Sequence, residues 1–541
     1  MVRRGYLILL IPFLGALAQA PASEKLFTVE GTVVNSVTGA PLRKVERSLA
    51  NGAMSQQTAG PQAPTATFAG KTDADGKFRF EHVPVGTYWL TAKKPGFADG
   101  RFPKGVPLRV SSGQEVADLD IRLIPHATLS GHVLDEDGEP FPGATVSVLS
   151  YSFAGGHRRQ MAVDMARTNN KGEFSLDRVP PGHYFLCADV SRMESFGNGA
   201  PPAPADGSPE TAYVGTYLPN TLDVADAQKV DVAAGAELSG FNIQLRKSVV
   251  VRVRGRLLEA NGDPVTGEVM FQGGPRLGAM FGTMVRDPKG MFEFTNVQPG
   301  VYTALTIQMQ GARRKMIMQS LVVPEKNVEN LELGASEATI QGKVSIDGDA
   351  KLLPDGFQIS LTPGMRGVPL VPVVAWADKS GAFTLEHVSR TTYDLAPHSA
   401  PTGTYVKSVM FNDHESLGQE LDCSALTAGT LRIVLGTDGA KVEVHVTSED
   451  KPAPDATVVL VPVDPNLRFP ETVSRGRSDA AGHLTLKDVP PGSYLAFAWE
   501  EVEDGVWFDP DFMRTETHGV PVHVGPRGSE QVELNLIPAA R

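Results

Sequence analysis

At 541 residues the chain is long enough for several domains, and with 41% hydrophobic and 21% charged residues it can fill several packed cores. Its 55 glycines and 41 prolines follow no three-residue period, so collagen is excluded, and they punctuate the chain too often for a coiled coil. A formal net charge of −12 argues against a nucleic-acid backbone as the main partner, because phosphate binding needs a basic field.

The chain opens with Arg3 and Arg4, an apolar run from Tyr6 to Ala18, and two small-residue sites, Ala16-Leu17-Ala18 and Ala18-Gln19-Ala20. This is the three-part layout of a secretory signal peptide over residues 1–20. The apolar run is short of the roughly 20 residues a bilayer span needs. The expectation is therefore a secreted or periplasmic protein, the alternative being an N-terminal membrane anchor where the signal is not cleaved. No later run of 18 apolar residues follows, so no stable transmembrane span is expected after cleavage. Cys187 and Cys423 are the two cysteines. Two unpaired thiols and one long-range disulfide both remain open for an exported chain.

Five segments then carry one internal spacing. The first reads Thr72-Asp73-Ala74-Asp75-Gly76-Lys77-Phe78-Arg79-Phe80, followed by Val83-Pro84-Val85-Gly86-Thr87-Tyr88. The second has Gly172, Phe174, Gly182 and Tyr184, the third Gly290, Phe292, Gly300 and Tyr302, and the fifth Gly482, Leu484, Gly492 and Tyr494. The fourth keeps Gly381, Phe383 and Tyr393 but has Thr391 at the second glycine's place. A polar run ending in glycine predicts a tight turn with positive φ. The alternation of Phe78 and Phe80 predicts a half-buried strand, and the tyrosine begins the next strand and closes one end of a core.

Each repeat also opens alike, with Val29-Glu30-Gly31-Thr32-Val33, Leu129-Ser130-Gly131-His132-Val133, Val253-Arg254-Gly255-Arg256-Leu257 and Ile340-Gln341-Gly342-Lys343-Val344. The fifth, Val442-Glu443-Val444-His445-Val446, replaces the glycine by valine. A glycine recurring inside a strand predicts a bulge or a close approach of neighbouring backbone. A further alternating strand, such as Leu119, Ile121 and Leu123, ends each repeat. The fold class is thus all-β, a tandem of Ig-like or prealbumin-like antiparallel sandwiches. The expected bounds are 24–125, 126–247, 248–336, 337–436 for the divergent fourth, and 437–541. Residues 49–66 and 195–210 read as surface insertions.

The combination VxGxV, G-x-P-x-x-G-A-x-V, T-D-x-x-G-x-F-x-F and V-P-x-G-x-Y resembles the carboxypeptidase regulatory-like domain family, which has transthyretin-like β-sandwiches. The resemblance is strongest at Gly131, Pro140, Gly143, Gly172, Phe174, Pro181, Gly182 and Tyr184 in the second repeat, and again in the fifth. It implies a non-catalytic module that accompanies zinc peptidases, receptors and surface proteins. Related sandwiches bind glycans, and the motif residues themselves identify no ligand.

The residues that carry chemistry are sparse. None of the twelve histidines has Glu three positions on, as a carboxypeptidase-type zinc site needs. His414-Glu415 begins like a zincin motif but Gly418 stands where the second histidine belongs. Gly70-Lys71-Thr72 lacks the earlier glycine of a phosphate-binding loop, since position 65 is Thr65. No catalytic, cofactor-binding or metal residue is assigned. Acidic turns at Asp135-Glu136-Asp137, Asp73 with Asp75, and Asp347 with Asp349 leave structural calcium open beside ordinary turn chemistry. The candidate ligand-facing aromatics are Trp89, which should point away from the core beneath Tyr88 and Leu90, and Trp499, Trp507 and Phe508 in an acidic stretch of the last repeat. For these last, capping of the sandwich competes with ligand binding. The leading expectation is an exported scaffold, adhesion or protein-binding module whose partner is a cell-envelope protein or polysaccharide. Carbohydrate binding through exposed aromatics is the alternative, and an enzyme with a site between domains is the third class.

Overall fold

The computed structural model describes residues 26–51, 67–102, 108–110, 116–154, 157–190, 210–259, 261–275, 280–310, 313–334, 337–347, 357–363, 372–398 and 400–539. The signal segment 1–20 and nearly all of both insertions lie outside the described residues. Among the described residues strand is the dominant element, and α-helix is confined to Pro510–Thr515. The chain divides into two compact units. One holds residues 1–128 with 177–181 and 232–237, and the other holds the remainder.

The five repeats share one plan. An opening strand lies at the centre of a sheet, between the strand that follows the glycine turn and the strand that ends the repeat. In the first repeat these are Leu26–Asn35, Lys77–Pro84 and Val116–Leu123. The second sheet is built around Glu46–Asn51 and the tyrosine-bearing strand Gly86–Lys93. Alternation delivers Val29, Val33, Phe78, Phe80, Tyr88, Leu90 and Ile121 into one core between the sheets. Separate cores fill the third, fourth and fifth sandwiches, centred on Phe271 and Phe294, on Phe357 and Tyr393, and on Val444 and Leu460.

The sheets are not antiparallel throughout. Opening and closing strands run parallel in the first, third, fourth and fifth repeats. After its last strand in the second sheet, the chain crosses the sandwich and returns beside the opening strand in the same direction, a connection no hairpin can make.

Both families of glycine have a steric cause. The turn glycines Gly76, Gly172, Gly290, Gly381 and Gly482 take φ from +70° to +83°. Their turns are set by an Asp or Asn three residues earlier, as where Asp73 Oδ1 accepts from the amides of Asp75 and Lys77 at 3.0 and 2.8 Å. In the opening strands, a Cβ on Gly31 would lie 2.3 Å from the Leu119 carbonyl oxygen, and one on Gly255 would lie 2.2 Å from that of Leu331. In both repeats the parallel partner is bulged beside the glycine, with Val29 facing Val116 and Gly31 facing Leu119. In the fifth repeat the parallel ladder is unbroken, and Val444 sits opposite Val532 with its side chain in the core.

The second glycine of the spacing is less constrained. Thr391 fills its place in the fourth repeat, buried, with its amide donating to the Ser389 carbonyl at 2.9 Å. The tyrosine two residues later still ties back four positions. Tyr88, Tyr302 and Tyr494 donate their hydroxyls to the carbonyls of Pro84, Gln298 and Pro490 at 3.0, 2.8 and 2.7 Å. The Tyr393 hydroxyl instead accepts from the Ser389 amide at 2.9 Å. The fourth repeat is a full sandwich. It carries an added strand, Tyr405–Phe411, antiparallel to the closing strand Ala428–Gly436.

Gly131→Ala is expected to destabilise the second sandwich by at least about 3 kcal/mol, because the new Cβ would lie 1.8 Å from the Phe241 carbonyl oxygen. Gly138→Ala, whose φ is +82° but whose Cβ would meet nothing within 4 Å, should cost only about 1–2 kcal/mol. Hydrogen exchange in Ala127–Leu134 reads the difference.

Candidate functional site

The four aromatics singled out from the sequence do not form one surface. Trp89 is half-buried on the outer face of its sheet, opposite Ala50, while Tyr88 and Leu90 point into the core. Trp499 and Trp507 are 3% and 1% exposed, so neither offers a ring face to solvent and the expected platform is absent there. They belong to a small second core with Val459, Val461, Phe497 and Met513. Phe497 stacks on Trp499 with centroids 4.8 Å apart, and Trp507 continues the pile at 6.5 Å. The Trp499 indole N–H donates to Glu516 Oε2 at 3.2 Å. Phe508 is half-buried against this cluster. The turn Val506–Phe508 and the helix Pro510–Thr515 therefore cap the outer face of the last sandwich. The runs Val458–Val461 and Ala496–Trp499, apolar at successive positions, already carried that signal, because a strand covered on both faces loses its alternation.

Two exposed faces emerge instead. The first centres on Trp376, which is 61% exposed on the short edge strand Val373–Trp376. Ala375 turns inward and sends Trp376 out. Gln358 stands opposite Trp376, and His398 stands opposite Gln358 on the third strand, so the three form a row across the sheet. His398 Nε2 lies 2.9 Å from Ser360 Oγ, which fixes the imidazole at the end of the row. The pattern Val-Val-Ala-Trp, with its small inward residue, was the signal for this outward tryptophan.

The second face lies on His157–Arg167, the edge strand of its sheet in the second repeat. Asp164 and Gln160 are buried, whereas Met161, Val163 and Met165 are 44%, 36% and 61% exposed. The pairing with Thr145–Ala154 slips between Val148 and Leu149, leaving Val163 as the bulged residue.

The carboxylates of the acidic turns are taken up by backbone amides and by lysines. Asp135 Oδ1 accepts from the amides of Asp137 and Glu139, both at 2.9 Å, and Glu136 pairs with Lys247 at 2.8 Å. Asp347 pairs with Lys407, and Asp349 lies outside the described residues. Among the described residues no three His, Cys, Asp or Glu side chains converge as metal ligands would. His414-Glu415 forms a tight hairpin in which Glu415 accepts from Ser408 Oγ at 2.9 Å. Among the described residues no helix is long and apolar enough to cross a membrane.

These modules now stand beside known proteins. The first two repeats match the carboxypeptidase regulatory-like domain. That match covers residues 28–123 and 128–206, and it is to the non-catalytic regulatory module. The third to fifth repeats lie outside it but keep the spacing and sheet order. No curated protein matches the chain. Among solved structures, the Bacillus anthracis TIE protein is similar at 11% identity over 75% of this chain and 72% of that one, with a TM-score of 0.17. GBS52, the minor pilin of Streptococcus agalactiae, gives 14% identity, 41% and 96% coverage, and a TM-score of 0.21. BcpA, the major pilin subunit of Bacillus cereus, gives 11%, 58% and 100%, and 0.16. Scores this low carry no functional argument.

Both cysteines are buried thiols outside any disulfide, Cys187 in the second sandwich and Cys423 in the fourth. Burial, with the Asp422 charge adding to it, pushes the Cys423 thiol up to about 12. Neither thiol should react with a disulfide reagent at neutral pH in the folded protein, and both should react once guanidinium unfolds it. Thiol titration with and without denaturant is the check.

Proposed function

We propose that the chain is an exported, non-catalytic scaffold whose sandwiches carry protein-binding faces to partners in the cell envelope. The observation that supports this reading best is the apolar stripe of Met161, Val163 and Met165 on an edge strand. An edge strand presents a row of backbone donors and acceptors to which another strand can add. Here the outward positions are methionine and valine, side chains that repack readily against a partner surface. The basic and apolar residues of 1–20 support export, and the spacing of the five repeats supports a role as a spacer of binding faces. The second repeat supplies the face, the other sandwiches supply reach and copy number, and the partner is a cell-envelope protein. A Val163→Glu, Met165→Glu double variant should lose at least tenfold in capture of its partner from cell-envelope fractions. Its melting temperature should barely move, because both side chains already face water. Undiminished capture by the folded variant overturns the reading.

A second reading, polysaccharide binding, has its own support in the Trp376 row. An open indole face flanked by an amide and an imidazole fits stacking on a sugar ring with hydrogen bonds to its hydroxyls. Adding polysaccharide should quench tryptophan fluorescence in the native chain, and Trp376→Ala should abolish the response. Quenching that survives this substitution removes the reading.

A further inference from the structure

The outer face of the first sheet in the fifth sandwich is distinct from both faces above. Val442, Val444 and Val446 of the opening strand Ala440–Ser448 enter the core, so Lys441, Glu443 and His445 point out. His445 stands opposite His483 on one side and Glu533 on the other, a row of three across the sheet. The two imidazole rings are stacked, with centroids 4.5 Å apart and planes 23° apart. His445 Nδ1 lies 2.9 Å from Glu533 Oε2. Glu443, one row further on, pairs with Lys441 and accepts from Gln531 Nε2 at 3.3 Å.

The same row carries other chemistry in the other repeats. It reads Lys77, Thr32 and Asp120 in the first, Met291, Arg256 and Glu332 in the third, and Ala382, Lys343 and Arg432 in the fourth. Arg256 and Glu332 are matched as an ion pair at 3.0 Å. The two histidines have no such complementarity of their own. Protonated together they would repel, as like charges directly opposite in a sheet do. A metal ion shared between their nitrogens turns the same juxtaposition into an attraction.

We propose that His445 and His483 chelate a divalent transition metal, zinc, nickel or copper(II), through one nitrogen each. His445 presents Nε2, because its Nδ1–H donates to Glu533. A carboxylate behind a ligating imidazole in this way fixes the tautomer and raises the basicity of the other nitrogen. Two nitrogens bound to one zinc at roughly 2.0–2.1 Å stand about 3.4 Å apart, so His483 swings about 1 Å from the stack to close the chelate. His483 is exposed and has room for that movement. Among the described residues no third His, Cys, Asp or Glu converges on the pair, so water completes the coordination shell. Imidazole nitrogen suits zinc, nickel and copper, whereas calcium takes six to eight oxygens, which this row does not supply.

The test titrates the full chain with zinc, nickel, copper(II) and calcium chlorides by calorimetry, in a buffer that does not bind metals. Zinc should bind saturably, copper(II) more tightly than zinc, and calcium should give no heat of binding. His445→Gln and His483→Gln should each weaken zinc at least tenfold, because either one breaks the chelate. His414→Gln, at a histidine exposed in the fourth sandwich, should leave the affinity unchanged. The electron spin resonance of one equivalent of copper(II) should show two nitrogen ligands in the native chain and fewer in either variant. Thermal melts without metal confirm that both variants fold, as substitutions at outward polar positions should. Absence of saturable zinc binding, an unchanged zinc affinity in folded His445→Gln or folded His483→Gln, or calcium binding as tight as zinc overturns the proposal.

Discussion

One backbone contact recurs in all five sandwiches and holds the remainder in place. The carbonyl of the turn glycine accepts from an amide of the opening strand, from Val33 to Gly76, Val133 to Gly172, Leu257 to Gly290, Val344 to Gly381 and Val446 to Gly482, each at 2.8 Å. The turn lies so close that a Cβ on Gly76, Gly172, Gly290 or Gly482 would stand 2.4 to 2.6 Å from the carbonyl oxygen of that same opening residue. This stitch fixes where the hairpin begins, and hence which residues of the next strand face inward. A one-residue slip would turn Phe78 and Phe80 out to water. Because the stitch is made by backbone, it leaves side chains on the outer faces unconstrained.

Those outer faces have diverged accordingly. The last sandwich covers its second sheet with a turn, a helix and two tryptophans. The fourth leaves a tryptophan in the open and adds a strand to its other sheet. The second keeps a long edge strand with methionines outward. One repeated frame thus presents different chemistry in each copy.

Much of the frame was legible in the residues. The turn glycines, the alternating phenylalanines and the tyrosines occupy the places their spacing predicts, because positive φ and period-two burial are local constraints that sequence records directly. The parallel pairing of first and last strands was not legible. It joins residues such as Val29 and Val116 that no local pattern links. The opening-strand glycine announced a close approach but not its source. Its source in the first and third repeats is the bulged partner, whereas Gly342 in the fourth lies against the Phe383 ring beside an unbroken ladder. The burial of Trp499 and Trp507 was hidden for a related reason. Whether Trp499 faces water depends on where residues 500–519 lie, and alternation within its own strand does not reveal that.

The amino-acid order alone determined that the chain is a tandem of β-sandwiches, where each turn falls, and which residues enter each core. These follow from φ preferences and side-chain periodicity, both properties of neighbours in sequence. Tertiary structure decided which outward residues remain exposed, which strands run parallel, and that His445, His483 and Glu533 share one row. Exposure and convergence depend on segments distant in the chain coming to rest against one another, and only the packed fold specifies those contacts.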